Sequence, residues 1–456
     1  MKTYRLPLSY DTLNDDQKIA FGMLQYGLDS GQNYFLTGDA GVGKSYVINV
    51  YAEFCTLNRI NLLKCAPTGT AATTIKGSTI HKMFRLPWTV ASDKISSKQL
   101  ENIYSMIQYA DAIFIDEASM MRVDMLEAVM AQIAKADELR AKRSKPAIQV
   151  ILSGDFGQLK PVVTQEDKKL FLEAKGREIG SGCCYESPVW AAADFKPIML
   201  REQMRQSDKA FCKALDNIKI GIDSDLDYIN ANSSPVELPG GIWLCGLKDT
   251  AAEKNAMGLY RLPGELLFSD AIVTGKAKVS QTNYAERLMY KIGARVMMIK
   301  NMGDIYHNGS LGTIKAVNSD GTVKIALDAG REVDVGKVKT GFYEYKMDSN
   351  HQIMQIETGS VTQFPFKIGY AVTIHKAQGQ TYDAMNLVPE IFAQGQLYTA
   401  MSRCKYLDRI YVQPDAKGDK LTPAKLMQDL ETVKFLIKMD AEAAKYRAYF
   451  ESTIGG

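Results

Sequence analysis

Gly38, Gly43, Lys44 and Ser45 occupy the fixed positions of GxxxxGK[ST] in the run Gly38-Asp39-Ala40-Gly41-Val42-Gly43-Lys44-Ser45. A glycine-rich turn of this spacing can aim backbone N–H groups at a β-phosphate. Lys44 can reach the β/γ oxygens, and the Ser45 hydroxyl can ligate Mg²⁺ where a helix begins. Gly38, Gly41 and Gly43 are the backbone positions of that cradle. The chemistry needs a strand in front and a helix behind, and the apolar run Tyr34–Thr37 and the helix-compatible stretch YVINVYAEF supply them. Nucleotide binding follows, and what the nucleotide powers must be read elsewhere in the chain.

Asp116-Glu117 ends the apolar run Ile113-Phe114-Ile115. A carboxylate at such an edge can hold Mg²⁺, directly or through water, and its neighbour can orient or deprotonate an attacking water. Gly154-Asp155-Phe156-Gly157-Gln158 ends the next apolar run, and the neutral amide of Gln158 suits a γ-phosphate sensor because it brings no like charge.

The elements that must position these groups are short apolar runs with polar tips: Asn61–Ala66, Ala112–Ile115 and Ala147–Leu152, with helical spacing between them, as in Met125–Ala136. Such runs are expected of parallel strands covered on both faces, which predicts a doubly wound α/β domain over about residues 10–195. Between about Arg295 and Met354 the texture changes. Val296–Ile299, Gly312–Val317, Thr322–Leu327 and Glu332–Val335 are punctuated by Asn308-Gly309, Asp320-Gly321 and Ala329-Gly330, which predicts a small antiparallel barrel. Tyr370–Ile374 returns to the buried-strand pattern, so the barrel reads as an insertion in a second α/β domain, and helical periodicity runs from about Leu421 to the C-terminus.

A chain of 456 residues is too long for one ordinary core. Its 46% apolar and 23% charged residues are those of a globular protein, and no apolar run nears the roughly 18 residues a membrane span needs. MKTYRLPLSY lacks the apolar centre of a signal peptide, so a cytoplasmic protein is expected, nucleoid-associated in a bacterium. Seven cysteines without a CxxC pair suggest neither a disulfide framework nor a zinc site. A net charge of +3 does not by itself announce a nucleic-acid protein. Arg140, Lys142, Arg143 and Lys145 crowd together, and a solvated helix end is the better account of them.

GDAGVGKS, Ala66–Ala72, IDEAS, GDFGQLKPV, LREQMRQ, GYAVTIHKAQGQT and LYTAMSRCK stand in the order and approximate spacing of superfamily-one helicases. Together they resemble the Pif-type DNA helicase family, the 5′-to-3′ branch related to RecD and Dda, from Leu13 to about Lys405. Lys160, where the family usually has proline, and Met204, where an aromatic is common, depart from the pattern. The resemblance implies two RecA-like doubly wound parallel-sheet domains with a small wedge insertion and an inserted antiparallel β-barrel. The boundaries expected are 1–195 for the first domain with the wedge at about 83–105, 196–294 with 360–456 for the second, and 295–359 for the barrel.

By the same resemblance Gln17 reads adenine; an exposed first-turn residue behind a Thr12–Asp15 capping box is the alternative. Arg205 and Arg403 approach the γ-phosphate from the second domain, and guanidinium donors suit that work because they stay charged and contact phosphate oxygens bidentately. Two of only four histidines, His81 and His375, lie in identical tetrapeptides, Thr79-Ile80-His81-Lys82 and Thr373-Ile374-His375-Lys376. Each matches a motif that contacts single-stranded DNA, with Thr68 and Lys376 on the same track, and Gln378 and Gly379 lie in the motif that couples DNA to ATP. The apolar segment Met83–Val90, with Phe84 and Trp88, matches the wedge, with a core role for both aromatics as the alternative.

The function implied is ATP-dependent, 5′-to-3′ unwinding of DNA by a monomeric motor on single strands and 5′-tailed duplex, with ATP and Mg²⁺ as cofactors and no membrane partner. The alternatives are a single-strand translocase that remodels nucleoprotein, or a P-loop binding module or kinase. A kinase has no need for paired TIHK segments or a second-domain arginine.

Overall fold

The computed structural model describes residues 4–87, 90, 106–204, 206, 208–302, 305–306, 308–347 and 353–453. The first half folds around a six-stranded parallel sheet of β1 (Tyr34–Gly38), β2 (Leu62–Ala66), β3 (Ser78–Thr79), β4 (Ala112–Ile115), β5 (Gln149–Ser153) and β6 (Lys196–Leu200), in the order β3-β2-β4-β5-β1-β6. β1, β4 and β5 are buried along their whole length. Alternate residues explain why: Phe35, Ile113, Ile115, Val150 and Leu152 enter the core on one face, and Tyr34, Leu36, Phe114 and Ile151 the core on the other. The strand order brings the carboxyl ends of β4, β5 and β1 side by side. The phosphate loop, the acidic pair and the GDFGQ turn therefore meet at one edge, although the chain separates them by long helical excursions.

A second parallel sheet runs Ala371–Thr373, Ile242–Cys245, Met385–Leu387, Ile410–Val412. It shares a core with the helix Lys209–Ile220 and the short helices Ile374–Ala377 and Gln396–Met401. Antiparallel strands lie between its first and second strands in sequence. Five form the order Glu332–Val335, Val323–Leu327, Leu311–Val317, Arg295–Met298, Phe366–Ile368, around Val296, Met298, Ile314, Ile325 and Phe366. The turn at Asp320-Gly321 depends on Gly321 at φ 82°, and that at Ala329-Gly330 on Gly330 at φ 81°. A long hairpin, Val338–Met347 with Ile353–Gln363, pairs with Ile272–Gly275. Antiparallel pairing thus extends on both sides of the 295–359 stretch.

The C-terminal helix, Leu430–Thr453, corrects one expectation. Its periodicity is as the sequence suggests, but it packs on β6 of the first sheet, with Met439 in one core of the first domain and Phe450 in the other. The reason lies in its aromatic face: Phe435 stacks on Tyr185 with centroids 4.0 Å apart and meets Phe156 and Trp190 edge-on. Phe84 takes the core role that was the alternative to the wedge, fully buried in the first core; Trp88, Thr89 and residues 91–105 lie outside the described residues. All seven cysteines are free and six are buried. Arg140 is also buried, donating to the carbonyls of Pro146, Gln108 and Ala110. Among the described residues no helix is long and apolar enough to cross a membrane.

Candidate active site

The phosphate loop depends on glycine at three left-handed positions, Gly38 (φ 139°), Gly41 (φ 97°) and Gly43 (φ 87°). A Cβ on Gly38 would lie 2.4 Å from the Leu200 carbonyl oxygen, and one on Gly43 would lie 2.5 Å from Gln17 Nε2. Lys44 opens the helix Lys44–Leu57, and its ammonium donates to the carbonyls of Gly38 (2.7 Å) and Asp39 (3.0 Å). Burial lowers its pKa, while Asp155, Asp39 and Glu117 pull it back up. Ser45 is exposed in the first helical turn, where a hydroxyl can face a phosphate-bound cation.

Gln17 is only 3% exposed, so it is no solvated first-turn residue. The capping box is built by Asn14 and Gln17 instead of Thr12 and Asp15: Asn14 Oδ1 accepts the Gln17 N–H at 2.8 Å, and Gln17 Oε1 accepts the Asn14 N–H. Its amide nitrogen points to the Val42 carbonyl at 3.5 Å. The side chain thereby joins the first helix to the phosphate loop.

Asp116 and Glu117 follow β4 directly. Glu117 has φ 51° and ψ 45°, a left-handed conformation that costs a non-glycine residue of order 1–3 kcal/mol and is held by its surroundings. Burial first, and Asp116 second, push its carboxyl up to about 7, while Lys44, Arg403 and a hydrogen bond from Gln378 pull the other way. That bond, Gln378 Nε2 to Glu117 Oε2, is 3.1 Å long and comes from the second domain. Burial also raises Asp116. The GDFGQ turn lies against this strand end. A Cβ on Gly154 would come within 3.0 Å of the Ser119 nitrogen, and Gln158 Nε2 donates to Asp155 Oδ2 at 3.1 Å.

Arg403 is 1% exposed, which rules out a surface salt bridge. Its guanidinium donates to the carbonyls of Thr399 (2.8 Å) and Gln380 (3.3 Å) and to Ser402 Oγ (2.8 Å). It is close enough to Glu117 for the two to interact electrostatically. Arg205 lies outside the described residues. The residues beside it bridge the cleft: the Met204 N–H donates to the Gly41 carbonyl, and Gln206 Nε2 donates to the carbonyls of Ser402 and Cys404. Gly379, at φ 76°, makes the turn that carries Gln378 toward Glu117. Sequence reasoning missed Asp39, Lys219 and Tyr398, which also meet in this cleft. Asp39 and Tyr398 lie inside GDAGVGKS and LYTAMSRCK without being singled out there, and no local motif marks Lys219 as a member of the cleft.

The two TIHK tetrapeptides fold alike. Thr79 (φ −72°, ψ 150°) and Thr373 (φ −73°, ψ 148°) each end a strand and cap a one-turn helix, accepting the N–H of Lys82 at 3.2 Å and of Lys376 at 3.3 Å. The same local sequence therefore serves both parallel-sheet domains. His81 and His375 are half-buried, burial lowering the pKa of each, and Lys376 is exposed. Thr68 caps the next helix by accepting the Ala71 N–H, and a Cβ on Gly69 would lie 2.9 Å from the Gln281 carbonyl oxygen. The long hairpin closes on this side of the first domain, with Lys82 paired to Glu344 at 3.2 Å and the Lys64 N–H donating to the Tyr345 hydroxyl.

Residues 12–221 match the family model described as PIF1-like helicase. The chain is similar to an ATP-dependent DNA helicase Pif1 of Bdellovibrio bacteriovorus, at 29% identity over 88% of this chain and 87% of that protein. Among solved structures, Pif1 of Bacteroides sp. in complex with ADP-AlF4 gives a TM-score of 0.81 at 26% identity, covering 94% of this chain and 97% of that one. Bacteroides Pif1 bound to ssDNA gives 0.61 at 27% identity, with the same coverage.

Proposed function

The chain belongs to the PIF1-like helicase family, and from that premise we propose a DNA-stimulated ATPase that translocates 5′ to 3′ on single-stranded DNA and unwinds 5′-tailed duplex. The observation that carries this reading is the hydrogen bond from Gln378 to Glu117. One short segment, Thr373–Gln378, holds a capped turn of DNA-contacting type at one end and touches the candidate hydrolytic carboxylate at the other. A change of strand grip at His375 and Lys376 is thereby transmitted to Glu117 within one helical turn.

In this mechanism Lys44 holds phosphate charge from the first domain, and Arg403 brings charge from the second when the cleft closes. Glu117 takes the proton of the attacking water, which its raised pKa suits. Gln158, held by Asp155, would meet the γ-phosphate without adding charge. Mg²⁺ would be held by Ser45 and Asp116, a hydroxyl and a single carboxylate completed by nucleotide oxygens, and would neutralise charge between the phosphates. A hydroxyl in the first turn of the helix Lys44–Leu57 and a carboxylate directly after β4 are hard oxygen donors of the kind Mg²⁺ takes, and a bound cation would offset the burial that raises the Asp116 carboxyl. Because each parallel-sheet domain carries its own TIHK turn, alternating grip between them produces directional steps. We place Thr68, His81, His375 and Lys376 on the strand, Arg205 with Arg403 at the γ-phosphate, and the wedge in the part of 83–105 that follows the core residues Met83 and Phe84. The motor acts as a monomer in the cytoplasm.

The test compares ATP turnover with and without single-stranded DNA, and strand displacement on 5′-tailed and 3′-tailed duplexes. Strong stimulation with unwinding only from the 5′ tail is expected. Stimulation without displacement on either substrate favours a translocase, and no stimulation overturns the motor.

A further inference from the structure

The helix Lys209–Ile220 packs in the second domain through Phe211, Ala214, Leu215 and Ile218, yet its penultimate residue leaves that domain. Lys219 Nζ lies 2.7 Å from Asp39 Oδ1 in the phosphate loop and 3.2 Å from Asp155 Oδ1 in the GDFGQ turn. The Lys219 side chain is 12% exposed, Asp155 fully buried. Two carboxylates of the first domain thus share one ammonium of the second. Tyr398, also from the second domain, completes the cluster: its hydroxyl is 3.1 Å from Asp155 Oδ2 and accepts the Ala40 N–H at 3.4 Å, and Lys219 sits 5.5 Å from its ring centre.

The backbone is shaped to admit this lysine. A Cβ on Gly157 would lie 2.5 Å from Lys219 Cε and 2.6 Å from its Cγ, so the glycine leaves the passage open. Asp155, in turn, accepts the Gly157 N–H at 3.0 Å and the Gln158 amide at 3.1 Å. A buried carboxylate needs a cation to remain ionised, and the ionised form is the one that accepts Lys219, the Tyr398 hydroxyl, the Gly157 N–H and the Gln158 amide together. Lys219 supplies that cation, so Gln158 is oriented through Asp155 by a residue of the opposite domain.

We infer that Lys219 is the positioning residue by which the second domain sets the γ-phosphate sensor, acting through Asp155 on Gln158. The inference rests on the ATPase reading above and adds a residue to that site. Closure then does two things at once: it delivers Arg403, and it seats Lys219 between Asp39 and Asp155. The Lys219–Asp155 pair is buried on both sides, so it does not belong with the weak exposed ion pairs of the surface, whereas Asp39 is 37% exposed and holds the lysine less strongly.

The experiment is a double-mutant cycle on basal ATP turnover with Lys219→Met, Asp155→Asn and both together, with nucleotide affinity measured separately using a fluorescent ADP. Lys219→Met is expected to lower kcat about 10²-fold, the scale of a small misplacement, while ADP affinity moves less than about threefold. Lys219→Arg, which keeps the charge, is expected to recover most of the loss. The double variant should be no slower than Asp155→Asn alone, because both act on one chain of contacts. Multiplied losses in the double variant would place Lys219 on the nucleotide itself and overturn the inference, as would an equal loss of ADP affinity. Should Lys219→Met fail to fold, Lys219→Gln replaces it, and its smaller kcat loss must likewise vanish in the Asp155→Asn background. The wild type is read first with single-stranded DNA; a lack of stimulation there fails the helicase reading and leaves the basal cycle to decide on Lys219.

Discussion

Gln378 Nε2 and Glu117 Oε2 are 3.1 Å apart across the cleft, so the candidate base of one parallel-sheet domain is hydrogen-bonded by the segment that follows the second TIHK turn of the other. Gln378→Ala removes the only described side-chain hydrogen bond to that carboxylate from the second domain. Expected is a fall of about tenfold in the ratio of DNA-stimulated to basal ATP turnover, with nucleotide affinity within about threefold. An unchanged ratio, measured with saturating single-stranded DNA, would mean that coupling runs elsewhere.

Glu117→Gln keeps shape and hydrogen bonding but cannot take a proton. Turnover is expected to stop while ATP and DNA still bind; near-normal turnover would give the base to another residue. Stability gives an independent readout. The folded-state pKa of about 7 lies above the ordinary value of 4.5, so the stabilising contribution is present below pH 4.5 and lost as pH rises through 7. In EDTA without nucleotide, Glu117→Gln should therefore melt higher than the wild type at pH 8, by up to about 3 kcal/mol of stability, and the gap should close near pH 5. A gap that grows toward pH 5 would contradict the sign.

Lys44, Asp116, Glu117 and the TIHK turns were legible because each is local: a few consecutive residues encode a strand end, a turn and a cap. The antiparallel strands were legible for the same reason, with Glu332–Val335 flanked by its turn glycine. Lys219 was not, because its partner Asp39 is 180 residues away in sequence and no motif surrounds it. The left-handed Glu117 and the buried capping role of Gln17 were hidden too, since both depend on what packs around them. The C-terminal helix shows the same division: its periodicity is written in the chain, while its docking on β6 is decided by Tyr185 and Trp190, some 250 residues earlier.

Arg403 is held by three acceptors of its own domain, so alanine there does two kinds of damage. Turnover should drop on the order of 10³-fold, as for arginine fingers, and the stranded carbonyls should also lower the melting temperature. Arg403→Lys separates the two: it restores a cation to the buried site but not the planar fork, and is expected to recover stability more than rate. A loss below tenfold for alanine would remove Arg403 from phosphate chemistry.

The matching caps at Thr79 and Thr373 predict matching consequences on DNA. Alanine at Thr68, His81 or His375 should reduce DNA-stimulated turnover without changing ADP affinity, and the affinity of the wild type for single strands should fall with salt at about −0.7 per neutralised phosphate. Lys376→Ala should make that slope shallower by about one such step. Equal slopes for wild type and variant in fluorescence anisotropy would take Lys376 off the strand.

The C-terminal helix sets a contrast of magnitudes. Arg447 pairs with Asp16, the neighbour of Gln17, and Asp16 Oδ2 also accepts the Arg201 N–H at 2.7 Å. The arginine side chain is 34% exposed, so the pair is worth no more than about 1 kcal/mol, and its loss can loosen the Asn14–Gln17 cap only slightly. Phe450, by contrast, is buried against Tyr26 and the face of Gly22, where a Cβ would meet its ring at 3.6 Å. Deleting a buried phenyl costs about 3–5 kcal/mol. Arg447→Ala should therefore raise the KM for ATP by less than about fivefold, leaving kcat and melting temperature nearly unchanged. Phe450→Ala should lower the melting temperature by about several degrees and, in the fraction still folded, leave KM closer to normal than Arg447→Ala does. The reverse pattern, a stability loss at Arg447 and a KM change confined to Phe450, would show that the helix serves the nucleotide site through its apolar face and not through Asp16.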